Sequence, residues 1–147
     1  MTDPVVLDHI GIAVVSLEAG LEVYRALGIR VDGIEEVGDQ GVRVAFLPIG
    51  DARIELLEPT HDDSPIARHL ERRGAGLHHI SLRVPDIRSA MARLSEEGYR
   101  LLSEEPVRGA HDCLVCFVHP KSAGGVLIEL SQTPPTTAPR RPRDETR

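Results

Sequence analysis

His9, Glu55, His79 and Glu129 are the residues best suited to chemistry, because each interrupts an otherwise apolar segment. His9 stands between Leu7-Asp8 and Ile10-Gly11-Ile12, and His79 between Leu77-His78 and Ile80-Ser81-Leu82. Glu55 lies in Ile54-Glu55-Leu56-Leu57 and Glu129 in Val126-Leu127-Ile128-Glu129-Leu130. On a strand, successive side chains face opposite sides, so each of the four points away from its apolar neighbours. An ionised carboxylate left unpaired in such a place is costly, and a cation is its natural partner. Two imidazoles and two carboxylates make a nitrogen and oxygen donor set for an octahedrally coordinated divalent metal, with positions left open. Any one of these residues alone is better read as a hydrogen-bonded histidine or a solvated glutamate. The metal reading prevails because a second feature, an internal repeat, places all four. His78 has the opposite parity to His79 and is given no role in the site.

The repeat runs from Leu7-Asp8-His9-Ile10-Gly11-Ile12-Ala13-Val14 to Leu77-His78-His79-Ile80-Ser81-Leu82-Arg83-Val84. It continues at the same spacing through Leu17 and Ile87, Leu21 and Met91, and Gly28 and Gly98. Such self-similarity sets the architecture of a chain. A pseudo-two-fold axis between two copies brings equivalents together: His9 meets His79, and Glu55 meets Glu129, allowing for a loop of different length.

Each copy opens with a strand whose Ile10, Ile12 and Val14 (or Ile80, Leu82 and Val84) form one apolar face. A helix follows. Ser16 caps the first, with Leu17, Leu21, Tyr24 and Leu27 as its stripe; Asp86 caps the second, with Ile87, Ala90, Met91 and Leu94. Gly28 and Gly98 suit the left-handed position after each helix end. Three strands close each copy: Ile34–Val37, Val42–Pro48 and Arg53–Glu58, then Arg100–Ser103, Cys113–His119 and Val126–Ser131. Ser64, Pro65 and Gly74 mark the start and end of a linking helix. The chain therefore reads as α+β, two tandem βαβββ modules forming a cupped sheet. Module one is 5–60, the linking helix 64–74 and module two 75–132, in a single domain 1–132. The proline-rich 133–147 has no apolar pattern and is expected to be a disordered tail.

The 147 residues, 41% of them hydrophobic, suffice for one core. A formal charge of -6 argues against nucleic acid and anionic membranes as partners. No apolar run approaches the roughly 20 residues that span a bilayer. Met1-Thr2-Asp3-Pro4 lacks the profile of a signal peptide. Cys113 and Cys116 form a C-x-x-C, but on a strand they face opposite ways and are read as buried small apolar residues. Two reduced thiols fit a cytoplasmic location.

The sequence resembles the vicinal oxygen chelate superfamily, which includes glyoxalase I, extradiol dioxygenases and bleomycin-binding proteins. Within it the resemblance is to the methylmalonyl-CoA epimerase family, over roughly residues 7–132. The carrying segments are Asp8–Val14, Asp39-Gln40-Gly41-Val42, Ile54–Pro59, Asp63–Ala67, Gly76–Ile80, Val118–Ser122 and Gly125–Leu130. The resemblance implies metal ligands at His9, His79 and Glu129 and a fourth at position 55, where some members have Gln and this chain has Glu55. Some relatives carry a second catalytic glutamate where this chain has Val44. The implied metal is cobalt, with Mn2+, Ni2+, Zn2+ or Mg2+ able to replace it; the implied partners are an acyl-CoA substrate and a second copy in a homodimer.

Epimerisation at C2 of such a thioester removes a proton and returns it to the other face, through an enolate. Glu129 is expected to be both ligand and base, and Glu55 a ligand or the opposite-face base. Arg108 and Lys121 are candidates, by charge alone, for the CoA phosphates. The rivals are a glyoxalase I-type lyase, an iron dioxygenase using His9, His79 and Glu129, a drug-binding protein, and an epimerase for a larger C2 substituent such as ethylmalonyl-CoA.

Overall fold

Local signals place the helices. The computed structural model describes residues 5–135. In α1 (Leu17–Ala26) the Ser16 side chain accepts from the Ala19 amide, and in α3 (Ile87–Glu96) Asp86 accepts from Ser89. Both helices are followed by a left-handed glycine, Gly28 at φ 82° and Gly98 at φ 88°. Between the modules, α2 (Pro65–Arg73) starts with Pro65 and is capped by Ser64, whose buried Oγ accepts from the Ala67 amide at 3.0 Å. Losing such a cap costs about 1 kcal/mol. Ser64→Ala is therefore expected to lower the thermal midpoint by roughly 4 °C; an unchanged melt would contradict a capping role.

The strands are β1 (Val6–Ala13), β2 (Gly33–Val37), β3 (Val42–Ile49), β4 (Ala52–Pro59), β5 (Gly76–Arg83), β6 (Val107–Arg108), β7 (Leu114–Val118) and β8 (Ile128–Gln132). They form one sheet in the order β2-β3-β4-β1-β5-β8-β7-β6. The order repeats itself about its centre, where β1 and β5 pair antiparallel; β1 with β4 and β5 with β8 are the equivalent parallel pairs. This is the α+β cupped sheet expected from the repeat.

On one face, Leu17 and Leu21 of α1 pack on Ala45, Leu47 and Leu56, and Ile87 and Met91 of α3 pack on Cys116, Val118 and Leu130. On the other, Ile66 of α2 joins Ala13, Val44, Phe46 and Leu57. Burying each such aliphatic side chain contributes roughly 1.5–3 kcal/mol. Among the described residues, no helix is long and apolar enough to cross a membrane.

Four expectations need correction. Arg100–Ser103 is not a strand: Leu101 makes a single bridge to Val118, and the edge strand is the two-residue β6. Ser103 Oγ donates to the Glu105 carbonyl at 2.8 Å, and Pro106 has no N–H to give a ladder. Val126 lies outside β8, because Gly124 and Gly125 take positive φ just before it. Leu27, at the C-cap, is 71% exposed and leaves the α1 stripe. Cys116 is a core residue as expected, but Cys113 is half-buried and lines the cavity described below. Residues 136–147, most of the expected tail, lie outside the described residues.

Candidate metal centre and active site

The alternation of β1, β4, β5 and β8 turns His9, Glu55, His79 and Glu129 into one cavity of about 390 Å³ on the concave side of the sheet. All four residues are buried, none more than 7% exposed. Val42, Val44, Leu57, Val115 and Phe117 supply apolar wall. Val44 thus extends the wall, leaving the carboxylates to the central strands.

Three of the four residues converge. His9 Nε2 lies 2.9 Å from His79 Nε2 and 3.5 Å from Glu129 Oε1, and His79 Nε2 lies 3.9 Å from Glu129 Oε2. One donor atom from each falls within 4.8 Å of the others. Bonds of about 2.1 Å at an octahedral centre set neighbouring donors about 3.0 Å apart, against about 3.4 Å at a tetrahedral one. The 2.9, 3.5 and 3.9 Å between these donors bracket both spacings, so one divalent ion fits among them. Two neutral imidazoles and a carboxylate suit such an ion chemically.

Glu55 takes a different place. Its Oε2 lies 3.1 Å from His9 Nδ1, on the other nitrogen of that ring, and 2.9 Å from the Arg53 guanidinium. Arg53 also reaches Asp8 at 2.9 Å, and Asp8 Oδ2 is 2.7 Å from His9 Nδ1. A second cluster, Asp8, His9 and Glu55, therefore backs the first, with Arg53 neutralising it.

Burial and charge set the protonation. Burial pushes Glu129 up to about 7, opposed by the nearby His9. For His9, burial works downward but is outweighed by the Asp8 hydrogen bond and by Glu55 and Glu129, so it titrates above the usual histidine value. Asp8 is lowered: burial would raise it, and His9, Arg53 and Arg83 overcome that. Burial first, then the charge on His9 and His78, holds His79 well below the histidine range. Burial, then His69, lowers His78 to about 4. His9 and His79 share one hydrogen between their Nε2 atoms, 2.9 Å apart.

Asp8, Arg53 and Ser81 were not singled out from the sequence, and His78 was given no role by parity, yet Asp8, Arg53 and His78 line the cavity and Ser81 is fully buried beside Glu129 in register. Arg53 had a signal, since it stands two residues before Glu55 on the same strand face. Neither Arg108 nor Lys121 lines the cavity; Arg108 reaches Asp112 at 3.9 Å on the surface, and Lys121 is exposed in the turn Pro120–Ser122.

Known proteins resemble this chain in sequence and in fold. The family described as Glyoxalase/Bleomycin resistance protein/Dioxygenase superfamily matches residues 8–117. An "Ethylmalonyl-CoA/methylmalonyl-CoA epimerase" of Cereibacter sphaeroides is 46% identical over 129 residues, 86% of this chain and 96% of that protein. The mitochondrial methylmalonyl-CoA epimerase of Homo sapiens is 43% identical over 128 residues, 86% of this chain and 73% of that one. A solved variant of Streptomyces coelicolor methylmalonyl-CoA epimerase, in complex with 2-nitronate-propionyl-CoA, superposes with a TM-score of 0.85 at 39% identity. The match covers 91% of this chain and 98% of the other.

Proposed function

The chain belongs to the glyoxalase/bleomycin resistance protein/dioxygenase superfamily, and on that footing we propose that it interconverts the 2R and 2S forms of methylmalonyl-CoA. The observation that carries the reading is the convergence of His9, His79 and Glu129 in a cavity that Glu55 also lines. We take 1–132 as the single domain that performs it.

His9, His79 and Glu129 would hold a divalent ion, with Glu55, now on the far nitrogen of the His9 ring, as a fourth ligand once it turns from Arg53; cobalt is the ion we favour. When bound, the ion supplies Lewis-acid stabilisation of negative charge growing on the thioester oxygen. The chain's own groups move the proton. Glu129 takes the proton from C2, and the electrons of the C–H bond pass into the enolate. Glu55, protonated when the epimer that Glu129 deprotonates binds, delivers its proton to the opposite face and is left ionised while Glu129 is left protonated; the reverse direction exchanges the two roles. The apolar walls exclude water, so the enolate collapses by protonation at C2. Phosphates and adenine lie outside, since CoA exceeds a cavity of this volume.

Glu55→Gln separates the two carboxylates. Gln still offers an oxygen but carries no proton to transfer. Net interconversion is expected to fall at least about 100-fold, while C2 exchange from one epimer persists. Equal loss of both would contradict the opposite-face role. Chelation tests the whole reading: interconversion is expected to stop on metal removal and return with added Co2+. A chelated chain that retains full activity would overturn it.

An ethyl group at C2 is accommodated by the same proposal, because Val44, Leu57 and Val115 make the wall apolar and the Cereibacter relative is named for both substrates. A homodimer and a cytoplasmic location, the latter in keeping with two free cysteines, complete the reading.

A further inference from the structure

The β1–β5 pairing slips twice. Leu7 faces Leu82 but His9 faces Ser81, so Asp8 is an extra residue on β1. Gly11 faces His79 but Ile12 faces Leu77, so His78 is an extra residue on β5. Asp8 and His78 are equivalents in the repeat, each directly before its cavity histidine. A bulge takes a residue out of its strand's alternation. Both residues consequently line the cavity with the histidine that follows them. Both meet it at the same ring atom: Asp8 Oδ2 is 2.7 Å from His9 Nδ1, and His78 Nδ1 is 2.8 Å from His79 Nδ1.

The partner at Nδ1 decides where a neutral ring keeps its proton and which nitrogen is free to bind. An ionised Asp8 only accepts, so His9 carries hydrogen on Nδ1. His78 Nδ1 accepts likewise when its own hydrogen is on Nε2. His79 then carries hydrogen on Nδ1 and a lone pair on Nε2, the atom facing His9 and Glu129. The His69 ring of α2 packs edge-on against His78, centroids 4.8 Å apart, and restrains it. An imidazole here also avoids a further negative charge in a buried site that already holds Asp8, Glu55 and Glu129.

We propose that His78 is the positioning residue for His79, the counterpart of Asp8 for His9: it accepts from His79 Nδ1 and aims Nε2 at the bound ion. This rests on the reading of His9, His79 and Glu129 as ligands.

Nitrogen-15 NMR of the histidine rings in the full chain without metal is the first test. His79 is expected to be protonated on Nδ1; a ring protonated on Nε2 overturns the proposal. Binding of Co2+, read by calorimetry and by visible absorption, is the second. His78→Leu is expected to weaken it roughly 10–100-fold, with an unchanged thermal midpoint, and His78→Asn, which keeps an acceptor, to recover most of it. A folded Leu variant that binds Co2+ like the wild type overturns the proposal while leaving the ligand set intact. Should the Leu variant not fold, an Asn variant that also loses affinity overturns it. A wild-type chain that binds no Co2+ removes the ligand reading, and this proposal with it.

Discussion

Glu129→Gln is expected to reduce C2 proton exchange from the epimer whose proton Glu129 takes at least about 1,000-fold while the chain stays folded. Glu129 is buried against Ser81 in the β5–β8 ladder, and its carboxylate faces both cavity histidines. Glutamine matches its shape and keeps one oxygen toward the ion, but it cannot take a proton. The change also removes a charge whose burial pushes the carboxyl up to about 7. A neutral amide is desolvated more cheaply than a carboxylate, so no drop in thermal midpoint is expected. Exchange from that epimer should therefore be lost without a fall in stability, which distinguishes loss of a base from loss of the fold. A fully active Gln variant would remove Glu129 from the proton-transfer step.

Gly11→Ala is expected to displace His79 and to lower turnover by about 100-fold. Gly11 sits on β1 between its partners Glu55 and His79, where the His79 ring closes over the glycine backbone. A Cβ at this position would stand 2.2, 2.5 and 2.8 Å from Cε1, Nδ1 and Nε2 of that ring. All three distances are below van der Waals contact, so the ring must move, and it moves away from the Nε2–Nε2 approach of 2.9 Å that defines the centre. Overpacking of this kind costs typically 1–3 kcal/mol. Co2+ titration and a thermal melt measure the two effects. An Ala variant with wild-type affinity and stability would contradict the placement of the ring on Gly11.

The repeat and the strand alternation made much of this molecule legible. Matching Leu7–Val14 with Leu77–Val84 leads to two modules, and the modules lead to the symmetrical order of the sheet. Polar residues flanked by Ile and Leu lead to His9, Glu55, His79 and Glu129 on one face. Ser16, Ser64 and Asp86 announced their helices because caps act locally. What was not legible depends on pairing between distant strands. One-residue slips at Asp8 and His78 arise from the register of β1 against β5, and they reverse the parity that had set His78 aside. The collapse of one edge strand to Val107–Arg108 depends on Ser103 and Pro106 terminating the segment that was read as its beginning. Glu55 illustrates the same limit: its direction followed from alternation, but its pairing with Arg53 and His9 Nδ1 follows from the parallel match of β1 with β4.

The most direct test of the central claim is proton NMR of methylmalonyl-CoA in heavy water with the purified chain, stripped of metal and then given Co2+. The account predicts that the C2 proton signal persists with the stripped protein and disappears rapidly once Co2+ is restored. A folded, Co2+-loaded chain that leaves the C2 proton in place would contradict it.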